Sequence, residues 1–220
     1  MALRSRFAPS LMTRPRFDTA ACETLAGCIQ EIERSTDAEL VVVVRARSTS
    51  YAHADYLFGF TFAFIVLLVI LFVPFSFPEY FVPIDVAVAF VLGSIISWRS
   101  NTLRRLFSTE KFRRKAVRTA AAAMFYEAGI ANTNAEMGVL IYLSLMERQL
   151  ELIADRGVLK KVPAHDWNHE VFDLHKQGET PDPQGFQDAI QRFGKVLAAH
   201  VPATGENPNE LPDMPRFELK

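Results

Sequence analysis

Asp155 and Gly157 stand two residues apart, just after the apolar segment Gln149-Leu150-Glu151-Leu152-Ile153-Ala154. A tight turn at the glycine would set a carboxylate beside backbone groups, which is a setting for a cation. Calcium prefers several oxygen ligands, and this stretch offers Asp155, nearby carbonyls and Asp166. The competing reading is an aspartate that steadies its own turn, with Arg156 in solvent. In His165-Asp166-Trp167-Asn168-His169 the histidines are four residues apart, so on a helix they share a face and could take a transition metal. Asp166 falls near the helix start, where the macrodipole favours an acid, and Trp167 is the expected core anchor. Any bound cofactor is therefore expected to be Ca2+ or another divalent ion, held by Asp155 first and Asp166 second.

The remaining chemistry-bearing residues are isolated. Glu147 and Arg148 lie in a short link between two strands, where adjacent opposite charges are most often solvated. Glu39 opens an apolar run and is expected to meet water there or to pair with a basic residue such as Arg148. Cys22 and Cys28 point in different directions on one predicted helix, a spacing used by no metal or redox motif. No Gly-rich phosphate loop, nucleophile elbow or Cys–His arrangement is present, so no catalytic residue is assigned.

The elements that must carry these residues follow from periodicity. Residues 17–35 read as an amphipathic helix capped by Asp18, with Phe17, Ala21, Leu25, Cys28, Ile29 and Ile32 on one face. Residues 38–44 are an unbroken run rich in β-branched side chains, as expected for a strand covered on both faces. A helix is predicted over 109–128, ended by Gly129. Strands over 138–145 and 149–154 form an antiparallel hairpin, because the link between them is short. Two helices follow, lined by Trp167, Val171 and Leu174 up to Gly178, then by Phe186, Ile190, Phe193 and Leu197. The predicted fold class is α/β, a small mixed sheet covered by helices, with the first two strands parallel. Five segments are expected: a basic tail (1–16), the first part of the domain (17–50), a transmembrane hairpin (56–98), the second part (103–200) and a flexible C-terminal tail (201–220).

The hairpin rests on two apolar runs. The first opens at Leu57 and closes at Val73, carries no ionisable group, and at about 1.5 Å per residue spans roughly 25 Å, close to the hydrocarbon thickness of a bilayer. The second opens at Phe81 and closes at Trp98, with Pro83 and Asp85 near its start. A buried core hairpin is the alternative, but a chain of 220 residues offers no domain large enough to cover it. No apolar core lies near Met1, so a cleaved signal peptide is not expected. The loop between the runs has no Lys or Arg. Arg99, Arg104, Arg105, Lys111, Arg113, Arg114, Lys115 and Arg118 follow the second run, which places both termini in the cytoplasm. That basic stripe could also touch anionic headgroups. The chain as a whole is near neutral, with 24 basic and 25 acidic residues, which argues against nucleic acid as a partner.

The stretches Thr36-Asp37-Ala38-Glu39-Leu40-Val41-Val42-Val43, Gly138-Val139-Leu140-Ile141-Tyr142-Leu143-Ser144 and Glu147-Arg148-Gln149-Leu150-Glu151-Leu152-Ile153-Ala154-Asp155-Arg156-Gly157 resemble the TPM domain family. That family unites a thylakoid-lumen phosphatase, a photosystem II repair protein and a nematode levamisole-receptor modulator. Trp167, the closing helices and Asn209-Glu210-Leu211-Pro212-Asp213 look like its bacterial membrane-anchored branch. The resemblance implies an α/β sandwich with a small central sheet. It implies no single activity, since members are described as acid phosphatases, calcium binders and assembly or receptor accessories. Two features depart from familiar members: the hairpin lies inside the domain, and the turn after the third strand reads Asp155-Arg156-Gly157. The expected function is a non-catalytic accessory or scaffold in a bacterial inner membrane. Its expected partners are the lipid bilayer and a membrane or cytoplasmic protein. The alternative is a divalent-metal-dependent, acid-phosphatase-like hydrolase.

Overall fold

Strands far apart in the sequence lie side by side, and their pairing joins the two halves of the domain. β1 (Glu39–Arg45) and β2 (Gly138–Ser144) are parallel, in register from Glu39 opposite Gly138 to Arg45 opposite Ser144. β2 returns as β3 (Gln149–Ala154), antiparallel to it. β4 (Arg216–Glu218) adds to the other side of β1, giving the order β3-β2-β1-β4. The computed structural model describes residues 17–74, 78–133, 135–205, 211 and 214–219. The basic tail 1–16, the tip of the apolar hairpin and most of the 209–213 motif lie outside them.

In chain order the helices are α1 (Thr19–Glu33), α2 (Ala52–Phe72), α3 (Val82–Arg99), α4 (Asn101–Leu106), α5 (Glu110–Glu127), α6 (Arg156–Lys161), α7 (Ala164–Glu179) and α8 (Pro183–His200). Side chains alternate across a strand, so the unbroken apolar run of β1 feeds two cores. Leu40, Val42 and Val44 meet Leu25 and Ile29 of α1, Leu174 of α7 and Phe186, Ile190 and Phe193 of α8. Val41 and Val43 meet Val117, Ala121, Met124 and Phe125 of α5 on the opposite face. Asp18 caps α1 by accepting from the Ala21 N–H at 3.0 Å. Gly129 follows α5 with φ +74°, where a side chain would be strained.

α2 and α3 form an antiparallel pair that touches along small residues at four-residue spacing: Gly59 and Ala63 on one helix, Ala89, Gly93 and Ser97 on the other. A Cβ on Gly93 would fall 3.0 Å from the Gly59 Cα and 2.9 Å from the Phe62 Cβ, so the contact admits only hydrogen there. Outward from that seam stand Phe60, Phe64, Leu71, Phe72, Ile84, Val88, Leu92 and Ile95, all exposed. Both helices are long and apolar enough to cross a membrane.

Several expectations are corrected. The C-terminal segment does not trail away: Phe217 packs edge-on against Phe17 at 5.9 Å, β4 pairs with β1, and Thr36 bridges Pro202. Its polar composition concealed one aromatic with a core partner. α7 ends at Glu179, one residue past the expected Gly178, and a Cβ at Gly178 would meet the Leu150 nitrogen at 2.7 Å, so glycine there serves close approach to β3. Glu39 is buried and cannot reach Arg148. Glu39 stands opposite Gly138 at the start of both strands, whereas Arg148 follows their far ends, roughly 20 Å away at about 3.3 Å per residue. The Glu39 Oε2 accepts from the Leu211 N–H at 3.3 Å instead.

Candidate functional site at the base of the hairpin

The largest departure from expectation is Glu147. It was expected in solvent and is 1 % exposed. The reason lies in the link itself. After β2 the Leu145 N–H donates to the Arg45 carbonyl at 2.9 Å and the Met146 N–H to the Ala46 carbonyl at 3.0 Å, which holds the turn against the end of β1. Arg148 then takes φ +52° to bring the chain back as β3. Glu147 is thereby aimed inward, under the segment that leads into α2.

Three donors meet its carboxylate. The Ser48 N–H donates to Oε1 at 2.8 Å and the Tyr51 hydroxyl to the same oxygen at 2.9 Å. The Ser144 hydroxyl donates to Oε2. Behind Ser144 the Ser48 hydroxyl donates to the Ser144 Oγ at 2.9 Å, and it lies 3.1 Å from the Tyr142 hydroxyl. Burial, and then the neighbouring Glu147 carboxylate, push the Tyr51 phenol up from its ordinary value. Burial also raises Tyr142, against the opposing pull of Ser48 and Arg45. Glu147 therefore serves as a knot that ties β1, β2 and the hairpin entry together.

A second knot closes the hairpin from the other side. The Arg104 Nε and Nη2 donate to both oxygens of Asp55, at 3.0 and 2.7 Å for the closest contact of each, and the Ser97 hydroxyl donates to Asp55 Oδ1 at 2.8 Å. The pair is almost fully buried and joins α2, α3 and α4. Arg113 of α5 donates from Nη1 to the carbonyls of Arg105 and Ser108, which fastens α5 to the same corner. Tyr51 and His53 pack edge-on against Phe112 at 5.8 and 4.6 Å. Between the knots lies a cavity of about 440 Å³ lined by Arg47, Tyr51, Asp55, Phe90, Ile95 and Trp98 among others. Its lining combines the charged Arg47, Asp55 and Arg104 with the apolar Phe90, Val91 and Ile95. Burial, with Arg148 and Arg113 nearby, lowers Arg105.

The residues expected to bind metal are dispersed. Asp155 is the cap of α6: its Oδ1 accepts from the Arg156 N–H at 2.7 Å. Gly157 does not make a tight turn. It lies within α6, where a Cβ would meet the Glu136 and Ala135 carbonyl oxygens at 2.5 and 2.7 Å, so glycine is required by close approach. Asp166 pairs instead with His200 at 3.1 Å, linking the start of α7 to the end of α8. His169 stands exposed beside Glu170, and Trp167 packs edge-on to Phe193 at 5.9 Å. The described residues hold no group of three or more His, Cys, Asp or Glu side chains placed for a metal. Cys22 and Cys28 are free thiols, and burial pushes Cys28 up to about 11.

Ser48, Tyr51 and Ser144 are polar positions flanking apolar runs, but nothing in their spacing reveals that they converge. The small-residue spacing on α2 and α3 is a local signal present in the sequence.

Comparison with known proteins identifies a fold and no family. No family model matches the chain, and no curated protein matches it. Among solved structures it is similar to the NMR structure of BA42 protein from the psychrophilic bacterium Bizionia argentinensis sp. nov., with a TM-score of 0.55 and 18 % identity. That similarity covers 92 % of this chain and 96 % of the other.

Proposed function

We propose that this chain is a membrane-anchored accessory protein of the TPM type, whose α/β domain is held at the cytoplasmic face by its hairpin and binds a protein partner there. The observation that carries this reading is the hairpin itself. Its outer surface is almost wholly apolar and exposed, its inner seam is made of small residues, its base is closed by the Asp55–Arg104 pair, and Tyr51 ties that base to the sheet through Glu147. Small residues at four-residue spacing are how helices pack closely in lipid. The excess of Lys and Arg after the second helix, against none in the loop, supports this orientation. Knots of this kind favour transmission of position over chemistry, because the Glu147 and Asp55 carboxylates at their centres are already met by donors.

Paired reporters test the reading, one inserted after Ser76 and one fused after Lys220. They should report opposite sides, with Lys220 in the cytoplasm. A Lys220 reporter on the outer side would reject the topology.

One observation favours the hydrolase alternative. The Asp155 Oδ2 is buried and, among the described residues, has no hydrogen-bond partner. A divalent ion would satisfy it, although one free carboxylate oxygen is a small part of the roughly six to eight ligands calcium takes. On this second reading Asp155→Asn abolishes calcium binding by calorimetry and any turnover of a generic phosphate ester. The accessory reading expects no turnover in either protein.

A further inference from the structure

β3 is an edge strand, and among the described residues no other strand covers its outer side. α5 packs on one face of the sheet and α7 on the other, so this edge is the floor of a groove between two helices. The groove has a volume of about 410 Å³ and is lined by Lys111, Arg114, Lys115 and Arg118 of α5, Gln149 and Glu151 of β3, and His175 of α7. The four α5 cations fall at steps of three and four residues, on one face of the helix. Like charges at those steps repel and weaken a helix. Among the described residues the acid that answers them along the helix is Glu110, which pairs with Arg114 in solvent. The fold thus keeps a self-repelling stripe along a concave edge. Among the described residues that line the groove the one carboxylate is Glu151, raised from its ordinary value by burial, against the pull of His175, Arg118 and Arg114.

We propose that this groove captures an acidic, extended segment of the partner protein, which adds as a strand to the outer edge of β3 with its carboxylates against the α5 stripe. The proposal deepens the accessory reading by naming the partner's chemistry. Charge complementarity selects an anionic occupant. The recessed strand edge selects a chain that can reach between the helices and offer alternating N–H and C=O groups. A flat membrane surface offers neither the reach nor the backbone. A phosphate backbone has no amide N–H and C=O groups to pair with the strand edge.

The test uses the full chain in phosphatidylcholine nanodiscs and two fluorescent decapeptides of equal charge, (Glu-Val)5 and (Glu-Pro)5. The second cannot pair as a strand, because proline lacks the N–H and resists a ladder. The expected result is binding of (Glu-Val)5 alone, slowed amide exchange within residues 149–154 on binding, and at least tenfold weaker binding in Lys115→Glu/Arg118→Glu. Equal binding of both peptides, no binding of either, or binding without protection of β3 would overturn the proposal. So would (Glu-Val)5 affinity unchanged in the charge-reversed variant. Phosphatidylglycerol vesicles provide the competing arm: vesicle binding that depends on Lys115 and Arg118 while (Glu-Val)5 fails to bind would make the stripe a headgroup site. Should the double variant misfold, the exchange and peptide comparison on the unmodified chain still decide. Failure here with the Lys220 reporter in the cytoplasm rejects only the strand addition. A reporter on the outer side rejects the accessory reading whatever the peptides do.

Discussion

Glu147 shows how a charged residue can be fully buried when its oxygens are met by donors from three directions. Burying a carboxylate without partners is expensive, and here the Ser48 N–H and the Tyr51 and Ser144 hydroxyls supply them. Glu147→Ala leaves those three donors facing a gap. Each buried donor left unpaired costs about 1–3 kcal/mol, so the variant should lose at least about 2 kcal/mol even if water enters. Denaturant unfolding of the full chain in detergent checks this, with Glu147→Gln expected to retain part of the loss because its carbonyl still accepts. An unchanged midpoint in Glu147→Ala would remove Glu147 from the joint. Arg148 beside it has a different role: its positive φ turns the chain, and its neighbour's burial follows from that turn.

Elements are positioned here mainly by where the backbone can approach. Gly59 and Gly93 let α2 and α3 touch, Gly157 lets α6 start beneath the Glu136 carbonyl, and Gly178 lets α7 lie on the backbone of β3. Gly93→Leu should therefore force the hairpin helices apart. Overpacking costs typically about 1–3 kcal/mol, and more where backbone rather than a flexible side chain is in the way. A cross-link between cysteines introduced on facing positions of the two helices, in a Cys22→Ser/Cys28→Ser background, should form readily in the parent and poorly in the variant. Equal cross-linking would show that the seam can open without cost. Gly27 serves as the control, since a Cβ there meets nothing and Gly27→Ala should leave stability the same or raise it.

At the scale of the whole molecule, the sheet closes across the hairpin. β1 precedes the insertion and β2 follows it, so neither half has a complete core. Replacing residues 52–107 with a flexible linker keeps Tyr51 and its bond to Glu147 and removes the Asp55–Arg104 pair as a unit. The shortened protein should be soluble without detergent and melt cooperatively. A fragment that begins at Ser108 lacks α1 and β1, exposes the apolar edge of β2, and should aggregate. A well-folded Ser108 fragment would show that the first half is dispensable.

Most of the elements, though not α4, α6 or β4, were legible in the sequence, because periodicity, caps and breakers act locally. Asp18 as a cap, the two-faced strand at β1, Gly129 after α5 and the antiparallel return from β2 to β3 were all readable from a few adjacent residues. The apolar hairpin was readable for the same reason, as composition over one continuous stretch. What only the tertiary structure decided were meetings between distant residues. Glu147 reaches Ser48 and Tyr51, Arg104 reaches Asp55, Phe217 reaches Phe17, and Asp166 reaches His200 rather than a metal. Such contacts depend on how strands register and helices cross, and a residue's type carries no record of its distant partner. The polar joint at the base of the hairpin therefore came into view only when β1 and β2 lay side by side.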